Sequence, residues 1–331
     1  MFKKLITALT VGSLCVSATA APSVEEVASF AGVPADAVRK AISEATLQQS
    51  IIDTMQKPYE GKPWWQYRKL FITTSRINAG VRFYLEHEKT LTRAEKTYGV
   101  PPEIVCAIIG VETFYGRNMG TWKVLDALYT LGFHYPPRES YFSKEFGQFV
   151  KLATREGWDY DTIKGSYAGA MGMGQFMPTS YLEYAVDFDG DGHVNLFESI
   201  EDAIGSVASY FRAHGWKQGH GIFYPAYVKT PEAAALTGQE WNLTGYDLVR
   251  SGVSTKVNLD PDERVRLFAY AMEDGSDSYG VGLDNFYTIM RYNKSPLYAR
   301  AVYELSEFIR TEHDKVLLEQ GIVVHPEGRR P

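Results

Sequence analysis

The chain has 331 residues, with 34 Lys and Arg against 40 Asp and Glu, so its formal net charge is −6. It has no basic stripe with which to displace counterions, and this composition argues against a nucleic-acid partner. Aromatic residues make up 14% of the chain and include 22 Tyr. Such rings suit sugar-binding clefts, where they stack on pyranose faces, although composition alone favours an aromatic core.

The N-terminus carries a predicted export signal over residues 1–20. Two lysines precede an apolar run at 5–16, and a small-x-small signal-peptidase pattern follows at 18–20. The run is shorter than the roughly 20 apolar residues that cross a bilayer, so we expect cleavage and no transmembrane anchor. Cys15 raises the alternative of a lipoprotein, which the bulky residue before it disfavours. We therefore expect a periplasmic protein that begins near Ala21.

Cleavage would leave about 310 residues, enough for two or three packed domains or one large one. It would also leave Cys106 as the remaining cysteine, which excludes an intramolecular disulfide. A lone thiol within an apolar run is expected to be buried and inert.

The first hundred residues are predicted to be helical. Ser23 and Glu26 form a capping-box pattern ahead of a short helix that Gly32 ends. The elements predicted next are a helix over 35–55, a polar-aromatic loop over 64–67 and a longer helix over 76–98.

Helical signals continue at 103–110, where the residues are almost all apolar, as expected for a helix inside a core. The later predicted elements are helices over 143–155, 203–214 and 298–318, strands over 221–228 and 264–271, and a turn-rich stretch over 275–284. The sequence therefore predicts a mainly α fold (α+β), with a small β element late in the chain.

Glu112 is the candidate catalytic acid. On a helix, Ile104, Ile108 and Glu112 fall on one ridge, so this carboxyl points along an apolar face. Burial disfavours the carboxylate and raises its pKa, and an acid still protonated near neutral pH can protonate a glycosidic oxygen. This window alone instead favours a structural glutamate paired with Arg117 or another cation.

Residues 165–178 are dense in glycine and alanine, which lets another backbone or a bulky ligand approach closely. Gln175 can donate and accept hydrogen bonds, which suits an N-acetyl or hydroxyl group. A tightly packed turn without a ligand is the alternative.

Residues 187–198 match the twelve-position EF-hand loop. Three aspartates within five positions repel one another unless a cation lies between them, so we expect calcium, with a solvated acidic turn as the alternative. A single loop of this kind is typical of a structural site, not a calcium sensor. The predicted ligands are the side chains of Asp187, Asp189, Asp191 and Glu198 and the backbone carbonyl of His193.

These windows, in this order and followed by 202–208, resemble the membrane-bound lytic murein transglycosylase B family. The resemblance covers essentially the whole mature chain and is densest from Val100 to Trp216. It implies a lysozyme-like α-helical core with flanking α and smaller β-containing segments. It also implies cleavage of the β-1,4 bond between N-acetylmuramic acid and N-acetylglucosamine in peptidoglycan, with formation of 1,6-anhydromuramoyl ends.

The resemblance also assigns residues. Glu112 corresponds to the sole catalytic carboxylate of the family, acting first as acid and then as base. Family members often close a longer metal loop with an aspartate that corresponds to Asp202, so the closing ligand remains open between Glu198, Glu201 and Asp202. Positions that match sugar-contacting residues of the cleft are Ser166 and Gln175, then Tyr210, Asn293 and Tyr298, and more weakly Arg138, Tyr141 and Tyr67.

We accordingly expect an N-terminal helical domain over 21–98, a catalytic core over 99–216 with its metal loop at 187–202, and a β-containing segment with a C-terminal helix over 217–331. The expected partner is the glycan strand of peptidoglycan, bound by a monomer with structural calcium and no organic cofactor. Three alternatives remain: a muramidase that uses water, a catalytically silent peptidoglycan-binding scaffold, and a calcium-responsive regulator.

Overall fold

The computed structural model describes residues 22–56 and 61–322. The predicted export signal and Cys15 lie outside the described residues. The helices, in chain order, are α1 Val24–Ala31, α2 Ala35–Glu44, α3 Gln49–Met55, α4 Trp64–Phe71, α5 Thr74–Glu86, α6 Glu88–Tyr98, α7 Pro102–Thr113, α8 Val124–His134, α9 Glu139–Glu156, α10 Pro178–Tyr184, α11 Ile200–Ala213, α12 Pro231–Ala234, α13 Gly245–Arg250, α14 Asp284–Tyr292 and α15 Pro296–Glu319. The strands are β1 Trp122–Lys123, β2 Lys164–Gly165, β3 Phe223–Val228, β4 Leu243–Thr244, β5 Val253–Thr255, β6 Arg264–Ala271 and β7 Asp277–Gly282.

The capping box predicted for the first helix is confirmed. The Ser23 side chain accepts a hydrogen bond from the Glu26 amide, and the Glu26 side chain accepts one from the Ser23 amide. Gly32 ends α1 in the left-handed conformation.

The single helix predicted over 35–55 is wrong, because the chain leaves the helical path at 45–48. There the Thr46 amide donates to Asp126 Oδ1 at 2.9 Å, and the Gln48 amide donates to Thr130 Oγ1 at 2.9 Å. Both acceptors lie on α8, so tertiary hydrogen bonds replace the helical ones.

The loop predicted over 64–67 is also wrong, since these residues open α4. Pro63 occupies the N-cap position, while Trp64 and Tyr67 are only 1% and 4% exposed. The helix predicted over 76–98 is divided in two at His87, which ends α5 and precedes α6. Burial of the Trp64 and Tyr67 rings therefore overrides the local signal for a loop at 64–67.

The later elements largely follow the prediction. The strand over 264–271 is confirmed residue for residue, and α9, α11, α15 and β3 contain or overlap the predicted segments. The turn-rich stretch over 275–284 is only partly confirmed. Gly275 lies in the turn, but the chain then continues as β7, which pairs antiparallel with β6.

The β element consists of a five-stranded antiparallel sheet with strand order β4-β6-β7-β3-β5, and of a two-stranded pair formed by β1 and β2. Gly280 on β7 allows the tip of the Phe223 ring to approach the sheet closely, because a Cβ there would meet the ring at 1.9 Å. Through Phe223, one face of the sheet joins the main helical core. The other face covers a small core of its own.

Helix α7 lies at the centre of the main core. Every residue of α7 except Glu103 and Glu112 is buried, including Cys106 as expected. The helices α5, α6, α11 and α15 pack around it. Because α15 returns to α7, contacts cross the boundary predicted near residue 216, and the three-part division stays a prediction.

Within residues 22–56 and 61–322, we find no helix with the length and apolar character that a membrane span requires.

Mutation can test whether hydrogen bonds to α8 cause the break between α2 and α3 at 45–48. Asp126→Ala removes the acceptor of the Thr46 amide and of Gln48 Nε2, which lies 3.1 Å from Asp126 Oδ2. Leaving partly buried donors unsatisfied should lower the free energy of unfolding by about 2–3 kcal/mol in urea titrations. The exposed control Glu86→Ala should cost less than about 0.5 kcal/mol. Equal losses in both variants would contradict this explanation of the break.

Candidate active site

The candidate site begins where α7 ends. Three consecutive residues after the helix have left-handed backbone angles: Phe114 with φ 53°, Tyr115 with φ 59° and Gly116 with φ 81°. Such angles cost about 1–3 kcal/mol each for residues other than glycine and often occur at functional sites. The chain therefore reverses sharply just after Glu112, which lies in the last turn of the helix.

Tyr115 holds this reversal in place. Its ring folds back on the protein beside Phe83, and its hydroxyl donates to the Arg76 carbonyl at 3.1 Å. A Cβ at Gly110 or Gly80 would lie 2.5 or 2.3 Å from that hydroxyl. The glycine in the middle of the apolar helix thus makes room for the strained turn.

The Glu112 carboxyl is held by one phenol. The Tyr298 hydroxyl, from the first turn of α15, donates to Glu112 Oε1 at 2.5 Å. Although the side chain keeps some exposed surface, the atoms packed around its carboxyl desolvate it, and this burial raises the pKa of Glu112 to about 7. The hydrogen bond from Tyr298 favours the carboxylate and offsets only part of that rise.

Within residues 22–56 and 61–322, no cation pairs with this carboxyl. Among the described residues Glu112 forms no ion pair, and the guanidinium of Arg117 lies 5.2 Å from the centroid of the Phe114 ring instead. The alternative of a glutamate paired with Arg117 therefore finds no support in the geometry.

The glycine-rich segment packs directly beside the end of α7. The Thr113 hydroxyl donates to the Met173 carbonyl at 2.8 Å and accepts from the Gly116 amide at 3.0 Å. Gln175 has φ 52°, and its Nε2 donates to the carbonyls of Met119 and Gly172 at 3.1 and 3.0 Å. Those bonds use the amide nitrogen and leave the Gln175 Oε1 as an acceptor for a ligand.

Other residues predicted to line the cleft also lie around this point. Tyr210 donates to the Arg291 carbonyl at 2.7 Å, and Asn293 Oδ1 accepts from the Ser295 amide at 3.1 Å. The Ser166 hydroxyl oxygen accepts from two amides of its own turn. Tyr67 lies close enough to Tyr298 to help raise the pKa of that phenol.

Arg138 and Tyr141 lie away from Glu112, although Tyr141 is near enough to Tyr210 to help raise the pKa of that phenol. The Arg138 guanidinium is 4.7 Å from the centroid of the Tyr141 ring. Both line a groove of about 760 Å³ between α1 and the start of α9, and Glu112 is not among its lining residues. Among the described residues, no hydrogen bond or ring contact joins either of them to Glu112.

Tyr292 was not predicted as a site residue. Its hydroxyl donates to the Gly174 carbonyl, and its ring packs 4.7 Å from that of Tyr210. Burial first and Glu112 second raise the pKa of Tyr292 well above its usual range. It lies one residue before Asn293, so the sequence window was identified but this phenol was overlooked.

The acidic loop brings together part of the predicted ligand set. Asp187, Asp189 and Asp202 place one carboxylate oxygen each within 4.8 Å of one another. Asp202 is 1% exposed and accepts hydrogen bonds from the Phe188 and Asn195 amides, both at 2.7 Å. Hard oxygen ligands at this spacing fit calcium. The other predicted ligands do not join this group: Asp191 accepts from the His193 amide, and Glu198 is exposed.

Comparison with known proteins identifies a matching family model and several similar proteins. A family model described as the transglycosylase SLT domain matches residues 17–307. Membrane-bound lytic murein transglycosylase B of Escherichia coli (strain K12) is 45% identical over 258 residues, which are 77% of this chain and 70% of that protein.

Solved structures agree with this result. Catenated lytic transglycosylase SltB1 from Pseudomonas aeruginosa gives a TM-score of 0.82 at 44% identity, over 88% of this chain and 96% of that one. The Escherichia coli lytic transglycosylase Slt35 in complex with calcium gives 0.77 at 40% identity, over 88% and 92%. SltB3 from Pseudomonas aeruginosa, in complex with NAG-anhNAM-pentapeptide, gives 0.74 at 27% identity, over 87% and 78%. The predicted fold class, mainly α with a lysozyme-like core and a small β-containing segment, is confirmed.

The raised pKa of Glu112 predicts a pH-dependent stability. Between pH 4.5, the ordinary value, and about 7, the folded protein retains a proton that the unfolded chain releases. The wild type should therefore lose stability relative to Glu112→Gln as pH rises through that window. Across the window, the free energy of unfolding of the wild type should fall relative to that of the variant by on the order of 2 kcal/mol, a figure reduced for partial exposure.

Urea unfolding of both proteins at about pH 4 and about pH 8.5 measures this difference. Glu86→Gln, at an exposed glutamate, serves as the control and should show no such change. A difference between wild type and Glu112→Gln that is the same at both pH values would contradict the raised pKa.

Proposed function

The chain belongs to the transglycosylase SLT domain family, together with lytic murein transglycosylase B, and from this membership we propose its reaction in detail. It is a peptidoglycan lytic transglycosylase that cleaves the β-1,4 bond between N-acetylmuramic acid and N-acetylglucosamine. The product carries a 1,6-anhydromuramoyl end, and Glu112 acts first as acid and then as base.

The observation that carries this proposal is the state of Glu112. Its pKa of about 7 leaves much of the carboxyl protonated near neutral pH. The Tyr298 hydroxyl donates to Oε1, so Oε2 is the oxygen that carries the proton. A general acid needs a proton at a defined atom within reach of the leaving oxygen.

The proposed reaction accounts for every proton without using water. Oε2 of Glu112 gives its proton to the glycosidic oxygen as the bond from C1 of the muramoyl sugar to that oxygen breaks. The carboxylate then takes the proton of the muramoyl 6-hydroxyl while O6 forms its bond to C1. Glu112 ends protonated, as it began. The 6-hydroxyl is tethered to the reacting sugar, so its effective concentration is high and it can outcompete water.

A single carboxylate suffices only if the positive charge on the sugar is stabilised elsewhere. Ordinary glycosidases place a second carboxylate about 5–9.5 Å from the acid. Within the described residues, burial raises the pKa of Glu112 and the Tyr298 hydrogen bond partly offsets that rise, with no contribution from another acid. The N-acetyl oxygen of the substrate is the natural source of stabilisation, as in substrate-assisted glycosidases. Ser166, Gln175, Tyr210 and Asn293 are proposed to hold the sugars.

A muramidase that admits water is the rival from the same class of chemistry. It would leave a hydrolysed reducing end in place of the anhydro ring. The relative SltB3 was solved with NAG-anhNAM-pentapeptide, which supports the anhydro product.

Structural calcium is part of the proposal. Asp187, Asp189 and Asp202 would hold it, with the His193 carbonyl and Asp191 completing the oxygen set after small loop adjustments. The spacing of the three carboxylates favours Asp202 over Glu198 as the closing ligand. The ion would neutralise the mutual repulsion of the aspartates and stabilise the loop that leads into α11. The relative Slt35 was solved in complex with calcium.

The proposed setting is the periplasm, reached through the export signal predicted over residues 1–20. There the protein is proposed to act as a monomer on glycan strands, without a nucleic-acid partner or an organic cofactor.

Digestion of purified peptidoglycan tests the reaction. Mass spectrometry should find muropeptide ends that lack one water relative to hydrolysed ends. Glu112→Gln should lower the rate by on the order of 10²–10⁴, because an amide cannot supply the proton. Glu86→Gln should retain the wild-type rate. Hydrolysed ends would favour the muramidase, and Glu112→Gln with more than about a tenth of the wild-type rate would remove Glu112 from its assigned role.

Thermal unfolding with calcium and with a chelator tests the metal site. A ligand that binds only the folded state stabilises it by about 2.7 kcal/mol at a hundredfold excess over its Kd. Asp187→Ala and Asp202→Asn should abolish the calcium-dependent rise in Tm, whereas Glu198→Gln should keep it. Loss of the rise in Glu198→Gln alone would make Glu198 the closing ligand, and identical melts of the wild type would refute the site.

A further inference from the structure

Helix α15 is fixed on two opposite sides near its start. Residues two positions apart on an α-helix point about 200° apart, so Tyr298 and Arg300 face opposite ways. On one side Tyr298 reaches Glu112 at 2.5 Å. On the other side the Arg300 guanidinium lies 4.5 Å from the centroid of the Trp64 ring and 4.2 Å from that of Tyr270.

Arg300 is linked to α4 through Glu304, and a hydrogen bond from β6 reaches the start of its helix. Its Nε is 3.0 Å from Glu304 Oε1, and Glu304 Oε2 is 2.7 Å from Arg68 Nε. The Tyr270 hydroxyl donates to the carbonyl of Pro296, the first residue of α15, at 3.4 Å. Three segments distant in sequence therefore meet at one guanidinium.

Stability alone does not account for this arrangement. Arg300 Nη1 is buried and makes no hydrogen bond within the described residues, which is costly for a charged group. The two ring faces supply cation–π attraction in its place. Trp64 also stacks on Tyr67, with 6.5 Å between ring centroids, and Tyr67 approaches Tyr298. The same aromatic cluster thus reaches the phenol that holds Glu112.

We propose that Arg300 is a positioning residue: clamped between Trp64 and Tyr270, it fixes the start of α15 so that the Tyr298 hydroxyl stays on Glu112. Its effect on turnover rests on the proposed function, but its effect on the Glu112 proton does not, because that proton can be followed without substrate.

The ionisable groups around Glu112 and around Arg300 indicate how Arg300 would affect the pKa of Glu112. Tyr298 and Tyr292 face Glu112, and the Arg300 charge makes no direct contribution to the pKa of Glu112 among the described residues. The ionisable groups that face Arg300 are Glu304, Arg68, Tyr270 and, through Tyr270, Arg266. We therefore expect loss of Arg300 to change the pKa of Glu112 through the position of Tyr298, and a Tyr298→Phe background separates this route from a change in burial.

The Tyr298 hydrogen bond lowers the pKa of Glu112, so loosening it should raise that pKa further. The pH dependence of unfolding free energy, taken as the difference between each protein and its Glu112→Gln counterpart, gives the midpoint without any activity assay. Arg300→Met should move the midpoint up by about half a pH unit or more, and Arg300→Lys, which keeps the charge but not the planar stack, by less.

Arg310→Met is the matched control. Arg310 lies on the same helix and pairs with Glu307 at 2.6 Å, away from the Trp64–Tyr270 clamp. This variant should leave the midpoint unchanged. In a Tyr298→Phe background, Arg300→Met should cause no further shift, because the hydrogen bond through which it acts is already absent.

In activity assays, Arg300→Met should lower kcat with little change in KM. The midpoint of the fall in activity at alkaline pH should also move to a higher pH. An unchanged or lowered midpoint in Arg300→Met, or the same shift with and without Tyr298, would overturn the positioning role. If Arg300→Met does not fold, an unchanged midpoint in Arg300→Lys overturns it. Absence of anhydro products would refute the proposed function, whereas the unfolding titration would still test the role of Arg300 independently.

Discussion

The properties of the candidate site depend on the burial of one carboxyl at the end of an apolar helix. Helix α7 is enclosed on all sides, and Glu112 lies in its last turn, so its ionised form is poorly solvated. Exposure to water would return the pKa of Glu112 to its ordinary value, and a neighbouring cation would lower the pKa below that value. The turn after α7, which Tyr115 stabilises, follows directly on Glu112, and the side chain of Glu112 keeps part of its surface exposed.

The site is assembled from segments far apart in the chain. Thr113 binds the glycine-rich segment through Met173, and Tyr292 binds the same segment through Gly174. Helix α15 then contributes Tyr298 from nearly two hundred residues beyond Glu112. The acidic loop leads into α11, which also packs on α7. The pKa of Glu112 is therefore set by the whole packed core, in which α15 supplies the hydrogen bond that partly offsets the effect of burial.

The features that the sequence predicted correctly are those that depend on residues close together in the chain. The capping box at Ser23, the strand over 264–271 and the apolar run before Glu112 are local patterns, and all three are present. The break at 45–48 could not be predicted, because its acceptor Asp126 lies 80 residues away in sequence. Tyr298 and Asp202 were named only through the family resemblance, since no spacing rule connects either of them to its partners.

The central claim is that burial keeps Glu112 protonated near neutral pH. The most direct measurement is an NMR titration of ¹³C-labelled glutamate side-chain carboxyls, in which the signal missing from Glu112→Gln identifies residue 112. The account predicts a midpoint near pH 7 for that signal. A midpoint at or below the ordinary glutamate value of 4.5 would contradict it.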